Sequence, residues 1–364
     1  MVKALTSLSA FPLNINLQSP FRIASGQLDR VTNIAVRVEL SGAVVGWGEV
    51  PILPPVTRLN QADAMLRIDE CRALMIGRVM KTLPGALNET AEILSDSPAV
   101  RAGIEQALMD AWARSKARPA WTYFGTTSRR VTTDITVPIC SRNASAKLAR
   151  QYGNAGFTRL KTKVGLDWSA DVERLVAMQA ASPGVGFIVD ANEGFTEQDA
   201  RRFLRAASAA SLNIELFEQP VSRHDWQAMA AIRASTQVPI AADESCRSLR
   251  DVVALYEARA CEVDKVQRAK TALAEVFKII EFARRFNVRL MIGAMVESRV
   301  GLATAAHIAA GCPAFEYVDL DTAYLMESDP IVGGPTSHGP NYIFNDDEFG
   351  HGARLKTTAI NGEV

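Results

Sequence analysis

Between Asn33 and Leu40 the polarity switches at nearly every residue, and Ser41-Gly42 then turns the chain into a second alternating run, Ala43–Val50. A period of two puts every other side chain on one face of a pleated strand, so the pair reads as a hairpin. Pro51-Ile52-Leu53-Pro54-Pro55 is expected to be a loop, since prolines lack the amide donor that a helix needs. From about Gln61 to Ala117 the period lengthens, and Ile104, Leu108 and Ala111 fall on one stripe of a packed helix. Residues 1 to about 125 therefore predict a small α+β domain.

Beyond it a different pattern repeats. Short apolar runs at 134–139, 159–164, 186–191, 213–218, 239–243, 262–268, 289–295 and 317–320 are each followed by a helix-length segment, with starts 23 to 28 residues apart. That is the length of one βα unit. No Gly-x-Gly-x-x-Gly opens any of the helices, which disfavours a dinucleotide-binding sheet. The expected architecture is an α/β protein with a (β/α)7β TIM-like barrel over 126–325. An N-terminal α+β capping domain covers 1–125 and is completed by the tail 326–364 after the Gly333-Gly334-Pro335 turn.

Composition narrows the function without choosing it. The 364 residues carry 40 Lys+Arg against 40 Asp+Glu, so the basic excess of a nucleic-acid binder is missing. With 48% hydrophobic residues the chain can bury a large core, yet no run nears the roughly 20 apolar residues of a membrane span. The opening MVKALTSLSAFPLNINL does not read as a secretory leader, and five scattered cysteines without a C-x-x-C suit reduced thiols. A cytoplasmic, homo-oligomeric enzyme acting on a small molecule is expected, with neither nucleic acid nor membrane as partner.

Candidate chemistry lies at the strand ends, where a βα barrel carries its reactive loops. The third, fourth and fifth strands end in Asp190, Glu218 and Asp243, spaced 28 and 25 residues apart. A single acid there is ordinarily a helix N-cap. Three on one rim repel unless a cation neutralises them, and an all-oxygen set suits Mg2+. The second strand carries Lys161 and Lys163 at i and i+2, hence on one side. Their mutual repulsion is expected to lower both pKa values and make a general base able to take a proton α to a carboxylate. The ordinary alternative is a solvated face. His224, His307, His338 and His351 lack metal-ligand spacing, and no Gly-x-Ser-x-Gly surrounds Ser245.

Lys161-Thr162-Lys163, Val189-Asp190-Ala191-Asn192, Phe217-Glu218-Gln219-Pro220 and Ala242-Asp243-Glu244-Ser245, in this order, resemble the enolase superfamily in its muconate-lactonizing subgroup. Asp319-Leu320-Asp321 on the last strand makes the chain most similar to dipeptide epimerases of the L-Ala-D/L-Glu type. The resemblance implies Asp190, Glu218 and Asp243 as Mg2+ ligands with Asn192 near the metal. It implies Lys163 as acid/base through an enolate, with Lys161 as its electrostatic partner. Asp319 and Asp321 would hold the ammonium of a dipeptide, Thr136 would line the pocket, and an N-acyl amino acid is the other substrate class. The loop Arg22–Gln27 lacks the arginine of Glu-specific members, with Gly26 near that place.

The sixth strand departs most. Where the family carries Asn-Ile-Lys-Leu, this chain reads Lys265-Val266-Gln267-Arg268, so Gln267 takes the place of the second acid/base. An amide cannot exchange a proton at neutral pH. Lys265 is expected on the same side but a layer deeper. The family's Gly-Gly after this strand is replaced by Ala272-Leu273. Three activities follow: a dipeptide epimerase, a one-base cycloisomerase or syn-dehydratase, and a catalytically impaired relative that binds metal and peptide.

Overall fold

The computed structural model describes residues 3–23, 26–125 and 128–360. Strands β1 (Lys3–Ile23), β2 (Gly26–Leu40), β3 (Val44–Val50) and β4 (Val79–Met80) form an antiparallel sheet in the order β3-β2-β1-β4. The expected hairpin is β2–β3, in register from Leu40↔Val44 to Ile34↔Val50. The Pro51–Pro55 loop needs correction: Pro54 and Pro55 begin a short helix, α1 (Pro54–Thr57). First-turn amides have no intrahelical partner to lose, so proline is tolerated there. Helices α2 (Gln61–Met75), α3 (Leu83–Ile93) and α4 (Pro98–Ser115) follow.

Helix α4 is buried on every side rather than along one stripe, and its polar residues explain why. β3 is a sheet edge whose outward amides need partners. Asp110 Oδ2 accepts the Trp47 N–H at 3.0 Å and Gln106 Oε1 accepts the Glu49 N–H at 3.1 Å. This approach requires glycine on the strand: a Cβ at Gly48 would sit 2.1 Å from the Gly103 carbonyl oxygen.

After β5 (Arg130–Thr132) the barrel strands are β6 (Ile135–Val137), β7 (Arg159–Lys163), β8 (Gly186–Asp190), β9 (Ile214–Glu218), β10 (Ile240–Ala242), β11 (Val263–Gln267), β12 (Arg289–Gly293) and β13 (Phe315–Asp319). They pair in sequence order, all parallel. Each of the first seven is followed by a helix: α5 (Arg142–Asn154), α6 (Trp168–Ala181), α7 (Glu197–Ala209), α8 (Trp226–Arg233), α9 (Leu249–Glu257), α10 (Arg268–Phe286) and α11 (Arg299–Gly311). The ends of the sheet meet where the Asp134 N–H donates to the Val318 carbonyl at 3.0 Å and the Leu320 N–H to Thr133 Oγ1 at 2.8 Å. The fold is the expected (β/α)7β barrel with a strand-rich N-terminal domain. Its floor is a layer of Ile188, Leu216, Ala241, Val263, Met291 and Tyr317.

Glu49 and Asn33 tie the N-terminal sheet to the barrel, and the tail packs on the same sheet. The buried Glu49 carboxylate accepts the Ser298 N–H at 3.0 Å, its hydroxyl at 2.6 Å and the Gly301 N–H at 3.0 Å, so it caps the start of α11. Asn33 Nδ2 donates to Glu49 at 2.6 Å and to the Val296 carbonyl at 2.9 Å. From the tail, Ile331, Ala353 and Leu355 pack on Leu13, Ile15 and Trp47.

Glu105 of α4 accepts the Ala274 N–H of α10 at 2.9 Å. Burial pushes its carboxyl up to about 7, and Arg101 offsets only part of the rise. An unfolded Glu titrates near about 4.3, so between that pH and about 7 the native state holds a proton the unfolded state has lost. Stability from this group is therefore complete below the unfolded value and lost as pH rises to about 7. Urea unfolding across pH 4.5–7.5 should show a smaller decline for Glu105→Gln than for the parent; identical slopes would contradict this.

Candidate active site

The strand-end acids are not helix caps. Thr196 caps α7, Asp225 caps α8 and Ser248 caps α9, each accepting a first-turn amide with its side chain. Asp190, Glu218 and Asp243 are instead buried in the barrel mouth. Adjacent strands place Asp190 opposite Lys163 on one side and Glu218 on the other. In a barrel of eight strands, β7 and β11 are four apart and stand on opposite walls. The arc between them reads lysines, Asp190, Glu218, Asp243, then Lys265 and Gln267.

Ammoniums bridge the acids. Lys161 Nζ lies 2.9 Å from Asp190 Oδ2, 2.9 Å from Glu218 Oε2 and 2.8 Å from Asp319 Oδ2. Lys163 Nζ lies 2.6 Å from Asp190 Oδ2. Across the mouth Lys265 Nζ lies 2.7 Å from Glu218 Oε1, 2.8 Å from Asp319 Oδ2 and 3.3 Å from Asp243 Oδ2. Lys270 pairs with Asp243 Oδ1. Asp321 Oδ2 accepts the Thr136 N–H at 2.5 Å, so Thr136 joins the site through its backbone.

Burial alone would push every acid up; neighbouring charge decides which way each goes. At Asp190 the ammoniums of Lys161, Lys163 and Lys265 outweigh burial and hold the carboxyl well below its usual range. Lys265 and Lys270 do the same for Asp243, and Lys161 and Lys265 for Asp319. Glu218, pressed by burial and by Asp190, is pushed up to about 8. Burial and Asp319 push Asp321 up to about 6. The expected lowering of Lys161 is corrected: burial lowers it, but Asp190, Asp319 and Glu218 together raise it well above the ordinary lysine value.

Sequence reasoning missed the supports. Gln219, fully buried, accepts the amides of Asp243 and Ser245 at 2.9 and 3.1 Å and donates to the Val221 carbonyl and Ser245 Oγ at 2.9 and 3.0 Å. It thereby fixes the turn carrying Asp243. Arg223 clamps Glu193 through backbone and guanidinium, joining the loops after β8 and β9. Asp134 was also overlooked. Its carboxylate is within 4.8 Å of Asp319 and Asp321, and neither oxygen has a hydrogen-bond partner among the described residues.

Charged residues and an apolar roof enclose a cavity of about 180 Å³. Phe21, Leu53, Val56, Met295 and Val296 face Lys161, Lys163, Asn192, Lys265, Gln267, Asp319 and Asp321. Ala24 and Ser25, and the side chains of Arg22 and Ile23, lie outside the described residues; Phe21, just before the expected selecting loop, lines the cavity. The donor set fits a hard divalent cation. It is all oxygen, drawn from three adjacent strands, and Asn192 Oδ1 beside it is buried without a hydrogen-bond partner among the described residues.

A barrel with this rim, under this sheet, defines a class, and comparison with known proteins agrees. Residues 6–125 match the mandelate racemase/muconate lactonizing enzyme N-terminal domain and residues 144–359 the enolase C-terminal domain-like family. The chain belongs to the mandelate racemase/muconate lactonizing family of the enolase superfamily. Among its relatives, an L-Ala-D/L-amino acid epimerase of Populus trichocarpa is 42% identical over 350 residues, 94% of this chain and 83% of that one. An aromatic dipeptide epimerase of Herpetosiphon aurantiacus is 33% identical over 98% of this chain and all of its own. A dipeptide epimerase of Cytophaga hutchinsonii, solved with Mg and D-Ala-L-Val, superposes with a TM-score of 0.93 at 26% identity, covering 99% of this chain and 98% of that one.

β11 is where this chain departs from the family pattern. Gln267 faces the pocket; among the described residues its Nε2 reaches the Ala294 carbonyl at 3.5 Å and no carboxylate. Lys265 lies beneath it, buried on the acids. Within the span given for α10, Ala272 breaks the helix at a kink, with φ 52° and ψ 164°, a conformation essentially reserved for glycine. Alanine therefore stores backbone strain at the turn that leads away from the site. Ala272→Gly should stabilise the protein by about 1–2 kcal/mol in chemical denaturation; no gain would show the turn to be relaxed.

Proposed function

We propose that the chain is a Mg2+-dependent dipeptide epimerase that removes the proton on the α-carbon beside a substrate carboxylate. One observation carries the reading: Lys163 stands at a wall of the barrel mouth, against Asp190, with the Asp190, Glu218 and Asp243 arc on one side of it and Asp319 and Asp321 on the other. The epimerase names of the relatives and the Mg and dipeptide bound by the Cytophaga hutchinsonii neighbour support it.

Asp190, Glu218 and Asp243 would hold Mg2+, with Asn192 beside them. When bound there, Mg2+ supplies positive charge next to the substrate carboxylate and so favours loss of the α-proton. Lys163 Nζ takes that proton. Lys161 stays charged between Asp190, Glu218 and Asp319 and adds positive potential below it. Asp319 and Asp321 receive the free ammonium, and the apolar roof of Phe21, Leu53, Val56, Met295 and Val296 favours uncharged side chains. An N-acyl amino acid would leave the acidic pair unused, which favours a dipeptide.

Gln267 supports a second reading. With an amide at the strand end and Lys265 engaged beneath it, the β7 wall would supply the base alone, through Lys163, as one-base cycloisomerization or syn-elimination requires. Incubating a dipeptide library with the protein and Mg2+ in D2O separates the two. The epimerase reading expects a gain of one mass unit together with a new diastereomer. Mass gain with configuration retained would leave the one-base reading, and no exchange from any dipeptide would remove both. Lys163→Ala should slow exchange at least about 100-fold, and EDTA should abolish it.

A further inference from the structure

Four lysines crowd the acids of the barrel mouth. Lys161, Lys163, Lys265 and Lys270 contact Asp190, Glu218, Asp243 and Asp319: four ammoniums against four carboxylates. A dication binds best where acids outnumber bases, since its affinity follows the charge of the ligand set. Lys265 is the ammonium that lowers the acid excess between the third, fourth and fifth strand ends. The Asn-Ile-Lys-Leu pattern has a neutral amide at this position, whereas here Lys265 Nζ sits 2.7 Å from Glu218 Oε1 and 3.3 Å from Asp243 Oδ2. Its seat is built for it. Gly293 on β12 leaves the space, for a Cβ there would lie 2.3 Å from Lys265 Cε.

We infer that Lys265 is a resident counter-cation that competes with Mg2+ for Glu218 and Asp243 and sets the affinity of the metal site. The inference rests on reading Asp190, Glu218 and Asp243 as the Mg2+ ligands. The same ammonium lies 2.8 Å from Asp319 Oδ2. It therefore joins the metal site to the acids that receive the substrate ammonium: a cation arriving at one end shifts Lys265 toward the other. Binding at the two ends is coupled, and by the same factor in both directions.

Calorimetric titration with MgCl2 tests this on four proteins: the parent, Lys265→Met, Lys265→Arg and Glu218→Gln. Removing the charge should tighten Mg2+ binding at least tenfold, while the arginine variant, which keeps it, should stay near the parent. Unchanged or weaker binding by a folded Lys265→Met overturns the inference. Undiminished Mg2+ binding by Glu218→Gln would instead overturn the metal assignment beneath it. Should Lys265→Met fail to fold, the parent serves, labelled with 13C at lysine Cε and assigned against Lys265→Arg. The Lys265 resonance must move as MgCl2 is added, and one that stays fixed at saturation overturns competition.

Discussion

The structure depends on a set of charges buried in the mouth of the barrel. Burying an ion costs several kcal/mol even after relaxation, and an opposite charge at about 4 Å returns about 4 kcal/mol at an effective dielectric near 20. Such a network is close to break-even as a source of stability. Its cohesion comes from its surroundings: the floor of Ile188, Leu216, Ala241 and Met291, and the helices packed outside the strands. The charges instead impose specificity. Asp190, Glu218, Asp243 and Asp319 are each held by an ammonium from another strand, so a slip of one residue in β7 or β11 would turn Lys161, Lys163 or Lys265 out of the barrel and strand these acids.

Much of this was legible in the chain because it is periodic. Strand starts 23 to 28 residues apart give the barrel, and acids recurring at successive strand ends give the rim. The β2–β3 hairpin and the deeper position of Lys265 were readable from alternation for the same reason. The supports were not, since they join residues distant in sequence through groups of no distinctive spacing. Glu49 meets Ser298 across 249 positions, Asn33 meets Val296 across 263, and Gln219 holds a turn 26 residues on. Asp134 is a single acid just before a short strand, and only the closing of β6 on β13 brings it beside Asp319.

The misread elements share a cause. Two prolines in Pro51–Pro55 argued against a helix, yet at the first positions of α1 they cost it no hydrogen bond. Ile104, Leu108 and Ala111 argued for one apolar stripe on α4, yet its polar residues are buried too because the edge of β3 needs partners. In both places local propensity was right about the residue and silent about which backbone groups its neighbours leave unpaired.

Two separate stretches of chain make the walls of the pocket. Phe21, Leu53 and Val56 come from the N-terminal sheet and its first connections, while the ionisable groups come from strand ends of the barrel. Glu49, capping α11, locks one to the other within a few residues of Val296. The roof can thus accumulate substitutions without disturbing the acids and lysines, and the clamp keeps each altered roof in the same position above them. A lineage built this way can explore new side-chain preferences while the reaction stays constant, inheriting selectivity and chemistry from different halves of one gene.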